Sequence, residues 1–101
     1  MKILSLDTST KTTGYAVYDG STIVHYSSID KSPIKDTNDR LRAMIGQIFA
    51  LITRYCPEVV VVEETVVPRN PQTQRMLTMI LGAIFGECNR KSIHYCALRP
   101  T

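Results

Sequence analysis

Residues 58–64 read Glu-Val-Val-Val-Val-Glu-Glu, an unbroken run of valines with acids at both ends. A short, continuous run of β-branched residues predicts a strand buried on both faces, as in parallel sheets flanked by helices. Glu63 and Glu64 would then lie at the C-terminal tip of that strand. Because an ionised carboxylate is costly to bury without a cationic partner, this tip is the first candidate for a functional site.

A second apolar strand, residues 2–7, also ends in an acid, Asp7. If the two strands are neighbours, they lie about 4.8 Å apart and their terminal carboxylates lie close together. Two anions at that distance share a proton or bind a cation, and an oxygen-only site suits Mg²⁺ or Mn²⁺. Acids are also typical of strand ends that reach solvent, so spacing alone leaves both interpretations open. Alternation places only one of Glu63 and Glu64 on the face of Asp7.

Three further strands are predicted from the rest of the sequence. Residues 14–18 and 22–26 are rich in strand-forming residues, and Asp19-Gly20 between them predicts a type I′ hairpin turn. Residues 92–98 predict the last strand.

Two helices are predicted between these strands. Asp36 is the expected N-cap of the first, which Pro57 ends. Asn70 is the expected N-cap of the second, with Pro71 at its first position and its end near Asn89. The apolar faces recur at helical spacing: Leu41, Met44, Ile45, Ile48, Ile52 and Tyr55 on the first, and Leu77, Ile80, Leu81, Ile84, Phe85 and Cys88 on the second.

The predicted order is therefore βββαβαβ, an α/β class with a mixed five-stranded sheet and flanking helices. A strand, helix and strand in succession, twice over, require parallel pairing through right-handed crossovers. A chain of 101 residues is sufficient for one such domain. Gly82 and Gly86, one helical turn apart, predict close approach of the second helix to a neighbour.

Composition bounds the function only loosely. A net charge of +3 is compatible with a nucleic-acid partner without requiring one. Three cysteines without C-x-x-C spacing predict buried thiols rather than a zinc site. No apolar run approaches the roughly 20 residues that span a bilayer, and no leader opens the sequence. We therefore expect a cytoplasmic protein with no membrane partner.

Two motifs resemble a known family. Residues 3–17, Ile-Leu-Ser-Leu-Asp-Thr-Ser-Thr-Lys-Thr-Thr-Gly-Tyr-Ala-Val, resemble the opening of RuvC-type Holliday junction resolvases in the RNase H-like superfamily. Residues 59–64, followed by Asn-Pro-Gln-Thr at 70–73, resemble that family's second acidic strand with the loop and helix after it. The resemblance covers the whole chain. It implies an RNase H-like fold and a homodimeric endonuclease that cuts branched DNA with two Mg²⁺ or Mn²⁺ ions.

The resemblance also implies roles for individual residues. Asp7 matches the family's first catalytic aspartate and Glu63 its second-strand glutamate, and both would bind metal. Glu64 would be an auxiliary metal ligand. The candidate DNA contacts are Lys11 in the hydroxyl-rich loop after the first strand, and Arg69, Asn70, Gln74 and Arg75 after the valine strand.

The sequence departs from the family pattern at its C-terminal end. The family completes its metal site with acids on a helix after the fifth strand, whereas no residue from Lys91 onward is acidic. Residues 1–101 are then either an N-terminal fragment of a single RuvC-type domain or a naturally shortened protein, and we expect the fragment because the sheet would otherwise expose apolar surface. Such a fragment would hold half a catalytic site and be inactive by itself.

Three other interpretations stay open. Actin-like and sugar-kinase-like nucleotide-binding domains open similarly, as does the tRNA-threonylcarbamoylation partner family, with Leu-Asp-Thr-Ser-Thr. Neither explains Val-Glu-Glu leading into Asn-Pro-Gln-Thr, and the kinase-like folds need glycine-rich phosphate loops that this sequence lacks. The third is a catalytically inactive binding module.

Overall fold

The computed structural model describes residues 1–63 and 70–99. The elements in chain order are β1 (Lys2–Asp7), β2 (Thr12–Asp19), β3 (Thr22–Asp30), α1 (Thr37–Tyr55), β4 (Val59–Glu63), α2 (Pro71–Arg90) and β5 (His94–Leu98). The predicted βββαβαβ order is confirmed. Strands β2 and β3 extend beyond the predicted hairpin, because their pairing continues from Asp19↔Thr22 to Thr12↔Asp30.

The five strands form one mixed sheet in the order β3-β2-β1-β4-β5. Strand β1 pairs antiparallel with β2 and parallel with β4, and β4 pairs parallel with β5. Helix α2 joins the parallel pair β4 and β5, as a βαβ unit requires, whereas α1 carries the chain from the edge strand β3 to β4, which lies beside β1. The valine strand therefore lies inside the sheet, with β1 on one side and β5 on the other.

The two faces of the sheet differ in burial. Both helices pack against the face that carries Leu4, Leu6, Val60 and Val62, all fully buried. We call this the helix face. The alternate residues of the same strands, Ile3, Ser5, Val59, Val61 and Cys96 among them, are only half-buried, and we call their side the open face. The run of valines in β4 predicted a strand with helices packed on both faces of the sheet. This prediction is wrong for the described residues, because α1 and α2 both pack on the helix face.

Capping side chains fix the start of each helix. The Asp36 carboxylate accepts a hydrogen bond from the Asp39 N–H at 2.9 Å, and the Asn70 side-chain oxygen accepts one from Thr73 N–H at 2.8 Å. Pro71 is the first residue of α2, as predicted. These contacts satisfy N–H groups that lack partners within the helix.

Helix α1 ends in a left-handed residue, Cys56, with φ of 45°. Its N–H donates to the Ile52 carbonyl at 3.0 Å, which closes the last turn. Cys56 is exposed, Cys96 is half-buried and Cys88 is buried, so burial of all three thiols was a wrong prediction. Burial raises the pKa of the Cys88 thiol.

The hairpin turn is shifted by one residue from its predicted position. Its central residues are Gly20 and Ser21, because Asp19 pairs with Thr22. Only Gly20 has a positive φ, 63°, whereas a type I′ turn needs two such residues. The strand pairing therefore includes the aspartate that the sequence assigned to the turn.

One prediction about α2 is also wrong, and another is not met within the described residues of this chain. Phe85 is 56% exposed, while Met76, which was not predicted, is buried. A Cβ atom at Gly82 or Gly86 would meet nothing within 4 Å, so no described neighbour approaches closely there. Among the described residues, no helix is long and apolar enough to cross a membrane.

Candidate active site

The two predicted acids lie at the same tip of the sheet. Asp7 is the last residue of β1, Glu63 is the last residue of β4, and the two are register partners in the parallel pair. Register partners on adjacent strands project to the same face, about 4.8 Å apart along the hydrogen-bonding direction. Both side chains are exposed. The carboxylates therefore form an accessible pair on two rigid central strands.

Gly14 leaves space on the other flank of Asp7. It is the register partner of Asp7 on β2, and a Cβ atom at this position would lie 4.0 Å from the Asp7 Cβ. A side chain larger than that of alanine at position 14 would extend over Asp7, because register partners project to the same face of the sheet. The glycine thus keeps the carboxylate accessible from the side opposite Glu63.

The loop after Asp7 is held from within by Thr13. The Thr13 side chain is fully buried, and its hydroxyl lies 3.4 Å from both the N–H and the carbonyl of Ser9. Thr8, directly after the aspartate, is also buried. These contacts fix the loop against the sheet.

Helix α1 supports the same loop through Arg40. The guanidinium Nε donates to the Thr10 carbonyl at 3.3 Å, and Nη1 donates to the Ile34 carbonyl at 3.1 Å. One planar group with several donors therefore joins the loop after β1 to the segment before α1. The backbone that follows Asp7 is held by a helix as well as by its own strand.

A groove of about 440 Å³ opens beside the acidic pair, between α2 and the ends of β4 and β5. We call it the α2 groove. It is lined by Thr8, Glu63, Gln74, Leu77, Thr78, Leu81, Gly82, Phe85, Tyr95 and Arg99. Because Glu63 belongs both to the pair and to this lining, the site and the groove are continuous.

The structure brings only some of the predicted DNA contacts together. Gln74 lines the α2 groove with Glu63. Asn70 uses its side-chain oxygen to cap α2. Lys11 is exposed in the loop after β1, and Arg75 is exposed on the first turns of α2. The predicted Glu64 and Arg69 lie outside the described residues.

The donor set at the tip fits a hard divalent cation. Mg²⁺ commonly takes one or two carboxylates and completes its shell with water and substrate phosphate oxygens. Asp7 and Glu63 supply two carboxylates, and the part of the chain that the structure describes adds no third acid, histidine or cysteine near enough to form a ligand group. The described residues therefore present a partial, oxygen-only binding site.

Sequence reasoning did not assign roles to Thr13, Gly14 and Arg40. Gly14 carried a usable signal, because glycine inside a strand often marks the close approach of another group. Thr13 and Arg40 carried none, since a threonine in a polar loop and an arginine on an amphipathic helix are ordinary surface residues. Their roles depend on tertiary contacts.

Comparison with known proteins identifies the family. The model of the family described as Crossover junction endodeoxyribonuclease RuvC matches residues 3–100. The chain belongs to the RuvC family. A relative from Alkalilimnicola ehrlichii with the same description is 33% identical over 90 residues, which is 86% of this chain and 54% of that protein. The chain thus spans about half the length of this RuvC relative.

Solved structures confirm the fold. T. thermophilus RuvC in complex with Holliday junction substrate superposes with a TM-score of 0.83 at 20% identity, covering 99% of this chain and 65% of that one. The Fowlpox virus resolvase, solved with substrate Holliday junction DNA, gives a TM-score of 0.66 at 22% identity, covering 100% and 62%. The expected RNase H-like, RuvC-type architecture is therefore confirmed, and the family match favours it over the kinase-like and threonylcarbamoylation alternatives.

Proposed function

We propose that this RuvC-family chain carries half of the catalytic site of a divalent-metal-dependent endonuclease that cuts branched DNA. The observation that supports this most strongly is the register pairing of Asp7 with Glu63 at an exposed strand tip. Both solved relatives described above were captured with Holliday junction DNA. A four-way junction is therefore the first substrate to test.

The chain's own residues hold and orient the reacting groups. The Asp7 and Glu63 carboxylates provide oxygen ligands from two adjacent strands, so their separation is fixed by the sheet. When bound, Mg²⁺ or Mn²⁺ supplies activation of water and stabilisation of the leaving oxygen in phosphodiester cleavage. Thr13 and Arg40 hold the backbone after Asp7, and Gly14 leaves room for a phosphate to approach. Rigid positioning of this kind supplies much of the rate of phosphoryl transfer.

Residues near the tip are suited to contact the DNA backbone. Lys11 and Arg75 are exposed cations on the loop and the helix that follow the two acidic strands. Gln74 adds an amide in the α2 groove. We include Arg69, Asn70 and the auxiliary ligand Glu64 in this site because they lie between Glu63 and α2 in sequence. Cationic contacts of this kind make DNA affinity depend steeply on salt.

We also propose that the active protein is a homodimer. Resolution of a four-way junction needs two symmetric cuts, and the described residues of one chain present one acidic pair. A two-fold dimer would place two identical sites on the two-fold symmetric substrate. A DNA substrate also supports a cytoplasmic location.

The domain boundary is part of the same proposal. Residues 1–101 would form the N-terminal part of one RuvC-type domain whose remaining acids come from elsewhere in the complete gene product. The 54% coverage of the Alkalilimnicola relative and the half-exposed apolar residues on the open face support this. Residues 1–101 alone should then bind metal weakly and cut little or no DNA. In this respect they would behave like the catalytically inactive binding module considered as an alternative.

The test is cleavage of a labelled four-way junction by the complete gene product in Mg²⁺, with a linear duplex of the same sequence as the control substrate. We expect cleavage of the junction only, and its loss when EDTA removes the metal. Asp19→Asn is a matched control variant, because Asp19 is also an exposed strand-end aspartate but pairs with Lys2 at the opposite end of β1. Equal cleavage in EDTA, or ATP binding without cleavage, would overturn the proposal.

A further inference from the structure

The row of residues at the tip of the sheet continues beyond the acidic pair onto β3. Ser28 is the register partner of Gly14, and Gly14 is the register partner of Asp7. Register partners project to the same face of a sheet, so Ser28 lies on the open face together with Asp7 and Glu63. Two strand spacings separate Ser28 from Asp7, about 10 Å, and the glycine contributes no side chain between them.

The space between Ser28 and Asp7 forms a notch in the open face, which we call the Gly14 notch. Among the described residues, a Cβ atom at Gly14 would meet the Asp7 Cβ, at 4.0 Å, and nothing closer. The neighbouring register pair on this face, Ala16 with Ser5, is also small. Glycine inside a strand often marks the close approach of another group. The notch therefore admits a group such as a phosphate beside Asp7.

The Ser28 hydroxyl is available to a ligand in this notch. The residue is exposed, and its hydroxyl forms no hydrogen bond with another residue in the part of the chain that the structure describes. A serine hydroxyl donates one hydrogen bond, and serine is among the residues that commonly contact DNA phosphates. Ser28 thus places a neutral donor opposite the acidic side of the notch.

The neighbouring carboxylate of β3 is already engaged by its own loops. Asp30 Oδ1 accepts hydrogen bonds from the Thr12 hydroxyl at 3.2 Å and from the Ser32 N–H at 3.0 Å. The cations Lys11 and Lys31 lie on the same two loops, which the Lys31 N–H joins by donating to the Lys11 carbonyl at 2.8 Å. The charge of Asp30 is therefore partly offset where a DNA strand would pass.

We propose that Ser28 donates a hydrogen bond to a non-scissile phosphate in the Gly14 notch, next to the phosphate that lies at the Asp7–Glu63 pair. The proposal rests on the proposed function and adds a second anchoring point for the DNA strand being cut. Two contacts along one row of the sheet would fix the direction in which that strand crosses the tip. Hydrogen bonds to ionised groups are stronger than those between neutral ones, so one hydroxyl is sufficient for a measurable effect.

The chain offers a matched control in the preceding residue. Ser27 is also an exposed serine on β3, but it pairs with Tyr15, which packs against the core on the helix face. Ser27→Ala therefore removes the same hydroxyl from the other side of the strand. Ser28→Thr keeps a hydroxyl at the notch and suits a strand. Both serines are exposed, so these variants and Ser28→Ala should fold like wild type.

The experiment measures kcat and KM for cleavage of a labelled four-way junction by the complete gene product in Mg²⁺. Each phosphate flanking the cut is replaced, one at a time, by a neutral methylphosphonate. For wild type, Ser27→Ala and Ser28→Thr, we expect one non-scissile position to raise KM by about 10-fold, the usual effect of losing a hydrogen bond to a charged group. Ser28→Ala should show that raised KM on the unmodified junction with kcat little changed, and no further rise when that phosphate is neutralised.

Different results overturn the two proposals separately. If wild type cuts the junction but every methylphosphonate position keeps its full effect in Ser28→Ala, Ser28 does not hold a phosphate. The same conclusion follows if Ser28→Ala and Ser27→Ala have equal KM values, or if no non-scissile position affects wild type. A merely structural role would not remove the effect of one phosphate selectively. If wild type neither prefers nor cuts the junction, the proposed function itself fails.

Discussion

The helix face and the open face of the sheet are built from alternating residues of the same strands, yet they serve different purposes. On β4, Val62 is fully buried beneath the helices, whereas its neighbour Val61 is half-exposed. The acids Asp7 and Glu63 follow the alternation of the open face, at the end of strands that the helix face holds in place. One face therefore supplies stability, and we propose that the tip of the other supplies the chemistry.

Loss of either acid should produce the largest effect and should leave the fold intact. We expect Asp7→Asn and Glu63→Gln to lower junction cleavage by the complete gene product by at least about 100-fold, while Asp19→Asn changes it little. The metal-free melting temperature should stay unchanged or rise, because the mutual repulsion of two neighbouring anions is relieved. A lower melting temperature in both variants would mean that the two acids stabilise the fold. It would contradict the claim that stability comes from the helix face and not from the acids at the tip.

Substitution of two adjacent valines measures the difference between the faces directly. Val62→Ala removes fully buried methyl groups and should lower the free energy of unfolding by about 2–3 kcal/mol, whereas Val61→Ala should cost about 1 kcal/mol or less. Urea denaturation of the two variants gives both values with the same residue change on the same strand. Equal losses would show that the open face is as tightly packed in the complete protein as the helix face.

Arg40 connects the two regions, since it extends from α1 to the loop after Asp7. Arg40→Ala should slow cleavage by about 10-fold, because small displacements of a reacting group are costly. Its loss of stability should be about 1–2 kcal/mol, from two side-chain hydrogen bonds to carbonyls. The matched variant is Arg42→Ala, an exposed arginine on the same helix whose contact with Asp39 spans 4.0 Å. If Arg40→Ala leaves the cleavage rate unchanged, Arg40 does not help to position Asp7.

The smallest predicted effect is a pH dependence of the protein's stability that comes from Glu87, near the C-terminal end of α2. Hydrogen bonding from Arg90, with Oε1 at 2.8 Å from Nε, is the main cause that lowers the pKa of Glu87 below its ordinary value of 4.5. The unfolded state therefore binds more protons between the two pKa values, so stability is present above pH 4.5 and falls as pH drops through the folded pKa.

Thermal melting between pH 3 and 6, at steps of about half a unit, tests this contribution. Glu87→Gln should show a shallower loss of stability at acid pH than wild type. The acidic pair should add nothing to that difference, because it lies at the opposite end of the sheet. An unchanged slope in Glu87→Gln would show that the ion pairs of this carboxylate with Arg90 and Lys91 are not formed in solution.

Much of this architecture could be predicted because local and global signals agree. The valine run, the aspartate that ends β1 and the Asn70-Pro71 start of α2 each specify an element. The sequence left open whether β1 and β4 are neighbours, and it is their pairing in the sheet that brings Asp7 and Glu63 to one edge. The features that sequence reasoning missed depend on tertiary packing. Exposure of Phe85 depends on how α2 packs on the sheet, which the apolar repeat alone does not specify, and the contacts of Arg40 join segments 30 residues apart.

The most direct test of the central claim is junction cleavage in Mg²⁺ by Asp7→Asn, Glu63→Gln and the double variant of the complete gene product. If the two carboxylates act as one unit, each single variant should fall to nearly the same low rate and the double variant should lose little more. Losses that multiply in the double variant would show two independent contributions. A cleavage rate near that of wild type in either single variant would contradict the account.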